Sequence, residues 1–293
     1  MIKEIQAKSA LHYHEQKFAT NWDVNIYRGC EHGCVYCFAR YSHRYLDNPD
    51  FFGDIYVKTN IVEQLDREFA RKSWTHQPVN VGGVTDAYQQ AEEKYGLMPE
   101  VIRTFIKHRN PLVIVTKSTL PLRDIGLISE LAKLVQVDVL VSASVLDEKI
   151  RLVTEPNSSP TNDRINMLSS FHEAGCRTGV LLMPVIPHLT DSYENLNGIY
   201  HLARENQVNM VLPGILHLRG ATREPFMKMI RASFPEIYPE ISKIYSTGNA
   251  AETYKNSLRP LIRRLQSEYG PWAKYTPPEP MPEKFKEQQL KLF

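Results

Sequence analysis

Trp22-Asp23-Val24-Asn25-Ile26-Tyr27-Arg28-Gly29-Cys30-Glu31-His32-Gly33-Cys34-Val35-Tyr36-Cys37-Phe38 is the stretch whose reading decides the fold. Its first part, Trp22 to Arg28, reads as a strand. It passes without a proline into a loop that holds three of the four cysteines of the chain at C-x3-C-x2-C spacing. Chemistry gathered just after a strand is the habit of α/β proteins, whose reactive groups collect at the C-terminal ends of parallel strands.

Working outward, further strand patterns fall at Val79 to Gly83, Leu112 to Thr116, Val137 to Ser144, Thr178 to Val185 and Val208 to Pro213. Amphipathic helix patterns fill the gaps at 60–72, 98–109, 122–135, 161–174 and 192–206. Strands alternating with helices imply parallel pairing, and six such units predict an α/β fold, a partial (β/α)6 TIM-type barrel, over 21–215. An N-terminal extension, 1–20, precedes it. A C-terminal helical extension, 216–275, follows, with helices expected at 222–232, 236–247 and 250–268. Arg223, Lys228, Arg231, Lys243, Lys255, Arg259, Arg263 and Arg264 give these helices either a solvated face or a surface for nucleic acid. The remainder, 276–293, begins proline-rich and extended.

With 35 basic and 33 acidic side chains nearly cancelling, any nucleic-acid contact has to come from local clustering of charge. Met1 to Ala10 lacks a hydrophobic signal core and no stretch is long enough to span a bilayer, so the expectation is a cytoplasmic protein without membrane contact. In a reducing compartment, three cysteines within eight residues point to metal or redox chemistry, not to a disulfide framework.

Thiolates are the usual ligands of iron-sulfur clusters, and three ligands on Cys30, Cys34 and Cys37 would leave one iron of a 4Fe-4S cluster open to an outside chelator. Gly29 and Gly33 let the backbone wrap a bulky group, and Tyr36 supplies an aromatic wall. A structural zinc site is the alternative, with His32 or His43 as fourth ligand. Cys176 reads as a small buried side chain, and His12, His14, His188 and His217 show no ligand spacing.

The triplet resembles the C-x3-C-x-aromatic-C signature of radical S-adenosylmethionine (SAM) enzymes. Tyr27-Arg28-Gly29-Cys30-Glu31-His32-Gly33-Cys34, Gly82-Gly83-Val84-Thr85-Asp86 and Thr116-Lys117-Ser118 resemble, more narrowly, the spore photoproduct lyase-like branch, over about 20–215. The resemblance implies that SAM chelates the open iron and is cleaved reductively to methionine and a 5′-deoxyadenosyl radical, which takes hydrogen from a substrate. It implies further that Gly82 and Gly83 contact the SAM amino group, with Thr85 and Asp86 holding that group or polar substrate atoms. Lys117 would meet the methionine carboxylate. Ser142 and Ser144 would meet ribose or carboxylate, Ser144 being preferred, and Met183 to Val185 would pass the adenine. Glu155 and Arg164 are either cofactor contacts or a structural ion pair. Members of this branch carry a hydrogen-donating cysteine near the segment aligned with Gly82 to Asp86. This chain has Gly83 at about that place.

Gln289-Leu290-Lys291-Leu292-Phe293 resembles the Gln-Leu-x-Leu-Phe peptide that docks on the bacterial sliding clamp; the alternative is a tail folded onto its own barrel. The expectation is a radical SAM enzyme acting on a nucleic acid, a DNA lesion or modified base, and served by an electron donor such as flavodoxin or ferredoxin. Radical chemistry on a small metabolite or peptide, and a non-catalytic iron-sulfur adaptor, are the rival readings.

Overall fold

Leu112-Val113-Ile114-Val115-Thr116 is almost continuously apolar and β-branched, the composition of a strand covered on both faces. In the computed structural model, which describes residues 1–15, 20–43 and 50–279, it lies at the centre of the main sheet. The strands are β1 (Ile2–Ile5), β2 (Leu11–Tyr13), β3 (Trp22–Val24), β4 (Tyr27–Arg28), β5 (Ile55–Lys58), β6 (Val79–Val81), β7 (Leu112–Thr116), β8 (Val137–Ser142), β9 (Arg177–Val185) and β10 (Met210–Ile215). The helices are α1 (Ile61–Phe69), α2 (Gln90–Tyr95), α3 (Leu97–His108), α4 (Ile125–Ala132), α5 (Glu148–Thr154), α6 (Thr161–Glu173), α7 (Tyr193–Glu205), α8 (Arg223–Ser233), α9 (Tyr238–Ile244) and α10 (Glu252–Tyr269).

The main sheet runs β10-β9-β8-β7-β6-β3-β2. Its members β3, β6, β7, β8, β9 and β10 are parallel, as expected of six βα units, while β2 adds antiparallel to β3. The barrel is partial, and among the described residues β10 and β2 are its free edges.

The strand expected over Trp22 to Arg28 is broken in two, because the backbone changes partners midway. Val24 O accepts from Gly82 N, whereas Ile26 O accepts from Lys58 N. The second piece, β4, joins a small sheet ordered β1-β5-β4. The first residues of the chain, read as an extension, therefore supply β1 to one sheet and β2 to the other. The helix expected at 122–135 begins as a 3-10 turn at Leu120–Asp124, where Pro121 removes a backbone donor, and only then becomes α4.

Alternation along the strands separates the two faces of the sheet. Val79, Val81, Ile114, Val139, Val141, Val180 and Leu182 pack outward under the helices in the main core. Val113, Leu140 and Leu181 face inward, with Val115, Met183 and Leu212 half-buried beside them. A separate core joins α8 and α9 to the cysteine loop, with Phe226, Ile230, Ile241 and Tyr245 packed around Cys34 and Tyr36. Thr222 Oγ1 donates to Cys37 O at 3.4 Å, so the loops following the first and last parallel strands meet. Among the described residues no helix is long and apolar enough to cross a membrane. The segment Gln289–Phe293 lies outside the described residues.

Candidate active site

Cys30, Cys34 and Cys37 are free thiols on one loop, the first two buried and the third half-buried. The loop turns tightly, with Cys37 N donating to Cys34 O at 3.1 Å and Cys30 N to Phe51 O at 3.2 Å. Gly29 sits at φ +88°, where a Cβ would come within 2.5 Å of Asp54 O, so glycine is required by both torsion and space. Burial pushes all three thiols up, and at Cys30 the Asp86 charge adds to it. A metal centre bound here has to displace three protons.

The donor set fits a cluster better than zinc. Both histidines considered as a fourth zinc ligand are occupied. His32 Nε2 lies 2.8 Å from Asp86 Oδ2 and Nδ1 lies 3.2 Å from Asn157 O. His43 Nε2 lies 3.0 Å from Asp54 O, and its Nδ1 faces Ser42 Oγ. Among the described residues, no three His, Cys, Asp or Glu side chains converge on a point that would hold a single ion.

The turn after β6 clamps this loop. Thr85 Oγ1 donates to Gly29 O. The buried Gln89 donates to the same carbonyl at 3.3 Å and accepts from Glu31 N at 2.9 Å, so it holds the peptide groups on both sides of Cys30. Asp86 is saturated: besides His32 it accepts from Thr116 Oγ1 at 2.9 Å, Lys117 N at 2.8 Å and Tyr88 N at 2.9 Å. Thr85 and Asp86, expected to hold the SAM amino group or polar substrate atoms, bond to Gly29 and His32 of the cysteine loop. Gly82, at φ +97°, shapes their turn, and Gly83 lies so close over the Asp23 carboxylate that a Cβ there would collide with it. Gln89 stands in the sequence segment Val84 to Gln90, but its role was hidden because its partners lie about 60 residues away, on the cysteine loop.

At the ends of β7 and β8 a second group converges. Lys117 Nζ donates to Ser142 Oγ and to Glu155 Oε1, each at 2.9 Å, and stands 5.5 Å from the centre of the Tyr36 ring. Glu155 is fully buried, also accepting from Tyr36 OH and from Ser158 Oγ and pairing with Arg164 at 3.0 Å. Burial alone would push the Glu155 carboxyl up, but the charges of Lys117 and Arg164 outweigh it and hold the group down at about 2. Glu155 and Arg164 are therefore an ion pair, and one carboxylate answers two cations. Ser142 Oγ also donates to Met183 O at 2.9 Å.

The structure thus brings Tyr36, Lys117, Ser142 and Met183 together beside the cysteine loop. Ser144, preferred over Ser142 from the sequence, is buried, and its Oγ has no hydrogen-bond partner among the described residues. Its carbonyl is taken by Asn195 Nδ2 at 2.9 Å. Val185 is likewise buried, and its carbonyl accepts from Leu216 N at 3.0 Å.

Residues 24–198 match the family model of the radical SAM superfamily. An uncharacterized protein of Mycobacterium tuberculosis is 37% identical over 94% of this chain and 83% of its own length. An uncharacterized protein of Methanocaldococcus jannaschii is 26% identical over 75% of this chain and 78% of its own. Among solved structures, a spore photoproduct lyase mutant with bound AdoMet and dinucleoside spore photoproduct superposes with a TM-score of 0.69 over 94% of this chain and 82% of that one, at 12% identity. At that identity the likeness is one of fold.

Proposed function

Because the chain belongs to the radical SAM superfamily, with a 4Fe-4S cluster and SAM as its cofactors, we propose that it uses them on a nucleic-acid substrate, a damaged or modified base. When bound, the cluster and SAM supply a reductive cleavage that yields methionine and a 5′-deoxyadenosyl radical able to abstract hydrogen. The residues of the chain do the rest by binding, orienting and excluding water.

Cys30, Cys34 and Cys37 would hold the cluster on a loop already immobilised by Gln89 and Asp86. The observation that carries the cofactor assignment is the surplus cation next to that loop. Among the described residues Lys117 and Arg164 pair with one carboxylate, Glu155, so a second carboxylate arriving at Lys117 Nζ, that of the methionine moiety, would balance the charge. Ser142, held by Lys117 and Met183 O, presents its hydroxyl at the same point. Burial and the Glu155 charge push the Tyr36 hydroxyl well up, keeping it a neutral donor to Glu155.

The nucleic-acid assignment draws on the order of the motifs resembling the spore photoproduct lyase-like branch and on the tail Gln289–Phe293, which resembles a clamp-binding peptide. This chain has no cysteine at that place, and a side chain at Gly83 would meet the Asp23 carboxylate. The product radical would then be quenched by another donor, and the reaction need not be that of the lyase. A low-potential donor such as flavodoxin or ferredoxin would supply the electron.

Anaerobic protein reconstituted with iron and sulfide, then given dithionite and SAM, should form 5′-deoxyadenosine above a Cys30→Ala control. Lesion-bearing oligonucleotides should raise that rate. A chain that forms none would be the non-catalytic adaptor; one that forms it without responding to any nucleic acid would act on a small metabolite or peptide.

A further inference from the structure

On the face that the small sheet turns away from the core, two cations, Arg28 and Lys58, have no ion-pair partner among the described residues. Cross-strand pairing places Lys3 and Arg28 on either side of Tyr56, and Ile5 beside Lys58. Tyr27, Ile55 and Val57, on the opposite face, lie in the main core. The row Lys3–Tyr56–Arg28 and the adjoining Lys58 thus share one face, with Arg28 and Lys58 diagonal neighbours across the β4–β5 pair. Lys3 stacks over the Tyr56 ring at 5.6 Å. Among the described residues neither Arg28 nor Lys58 has a salt bridge or a side-chain hydrogen bond.

That arrangement is unfavourable as it stands. Lys58 is half-buried, and burial first, then the Arg28 charge, pushes its ammonium down to about 8. Many cations of the C-terminal helices are treated differently. Arg223 donates to Tyr245 O, Lys255 and Arg259 pair with Glu252, and Arg264 pairs with Glu268. Two like charges held together without a carboxylate between them make a site that an anion would stabilise.

Its position ties it to the reaction. Arg28 lies two residues before Cys30. Lys58 acts electrostatically on His12, which stands opposite Asp23 on the inward face of the main sheet. Arg28 therefore adjoins the cysteine loop, and Lys58 lies within electrostatic reach of β2, the edge strand of the main sheet.

We propose that Arg28 and Lys58 form a seat for a substrate phosphate, with Lys3 and His12 at its rim, so that a phosphodiester is gripped beside the base presented to the cluster. This rests on the nucleic-acid reading above. The same chemistry would suit the phosphate of a small metabolite, and the test separates the two.

The reconstituted holoenzyme is titrated with a fluorescent single-stranded oligonucleotide, with the same oligonucleotide carrying neutral methylphosphonate linkages, and with inorganic pyrophosphate, over a range of salt. Wild type should bind the natural oligonucleotide and lose affinity with salt. Lys58→Gln and Arg28→Gln should each flatten the log–log salt slope by about 0.7, the value for one contact on a single strand, at unchanged iron content. Lys58→Arg should restore the slope, and the neutral backbone should bind no better to wild type than to Lys58→Gln. If wild type binds the oligonucleotide and both glutamine variants keep its slope, the seat is overturned while the nucleic-acid reading stands. If wild type ignores the oligonucleotide but binds pyrophosphate, and Lys58→Gln loses it, the seat stands and the nucleic-acid reading falls. Binding of neither overturns both.

Discussion

Glu155 is the residue that gathers the polar side chains beside the ends of β7 and β8, since Tyr36, Lys117, Ser158 and Arg164 all turn toward it. Its carboxyl is held at about 2, below its ordinary value near 4.5, so the unfolded chain binds the proton more readily. The resulting stability is fully present above about 4.5 and is lost as pH falls toward 2; for a group this buried it is worth on the order of 3 kcal/mol. Glu155→Gln should accordingly lower unfolding stability by roughly 3–5 kcal/mol at neutral pH, since it strands two buried cations, and should shallow the acid limb of the stability profile. Denaturant unfolding at several pH values checks this; an unchanged acid limb would remove Glu155 from that role. Lys117→Ala should raise the SAM concentration needed for half-maximal 5′-deoxyadenosine formation by roughly 10- to 100-fold, with a smaller effect at saturation. SAM binding unaltered in equilibrium dialysis would refute the carboxylate seat. The residue types at this end were legible from the sequence, since Lys117 and Ser142 stand at strand ends. Which serine meets Lys117 was not, because Ser142 and Ser144 share a face and differ only in depth.

At the level of elements, the turn after β6 joins the barrel wall to the cysteine loop. Gly83 lies over Asp23, whose carboxyl burial pushes up while Asn80 and the neighbouring histidines pull it down. Gly83→Ala should push the Asp23 carboxylate off its hydrogen bond with Asn80, destabilising the fold by roughly 1–3 kcal/mol and reducing iron retention. Combining it with Asp23→Ala should recover part of the loss, because the smaller side chain opens the space the new methyl needs. Thermal unfolding and iron content of the single and double variants check the coupling; strict additivity would mean the two do not touch. Strand periodicity revealed β6 but not this contact. The change of partner between Val24 and Ile26 was equally hidden, since an unbroken strand pattern carries no sign of which edge it will pair with.

Across the whole molecule, α8 and α9 share a core with the cysteine loop. Phe226 is fully buried in the core that contains Cys34 and Tyr36. Phe226→Ala should cost roughly 3–5 kcal/mol and speed the loss of iron to a chelator, whereas a change at the exposed Leu152 should do neither. Visible absorbance followed after chelator addition distinguishes them; equal rates would mean that α8 is independent of the loop. The three-thiol loop, the parallel βα alternation and the three terminal helices were settled by the sequence alone, because each is written in neighbouring residues as spacing or periodicity. The recruitment of residues 2–13 into both sheets, the clamp of Gln89 and Asp86, the lone carboxylate between Lys117 and Arg164, and the meeting of Arg28 with Lys58 were decided only in three dimensions. Each joins side chains or strands far apart in the chain, and the energy that selects them is electrostatic pairing and close packing, which local pattern does not encode.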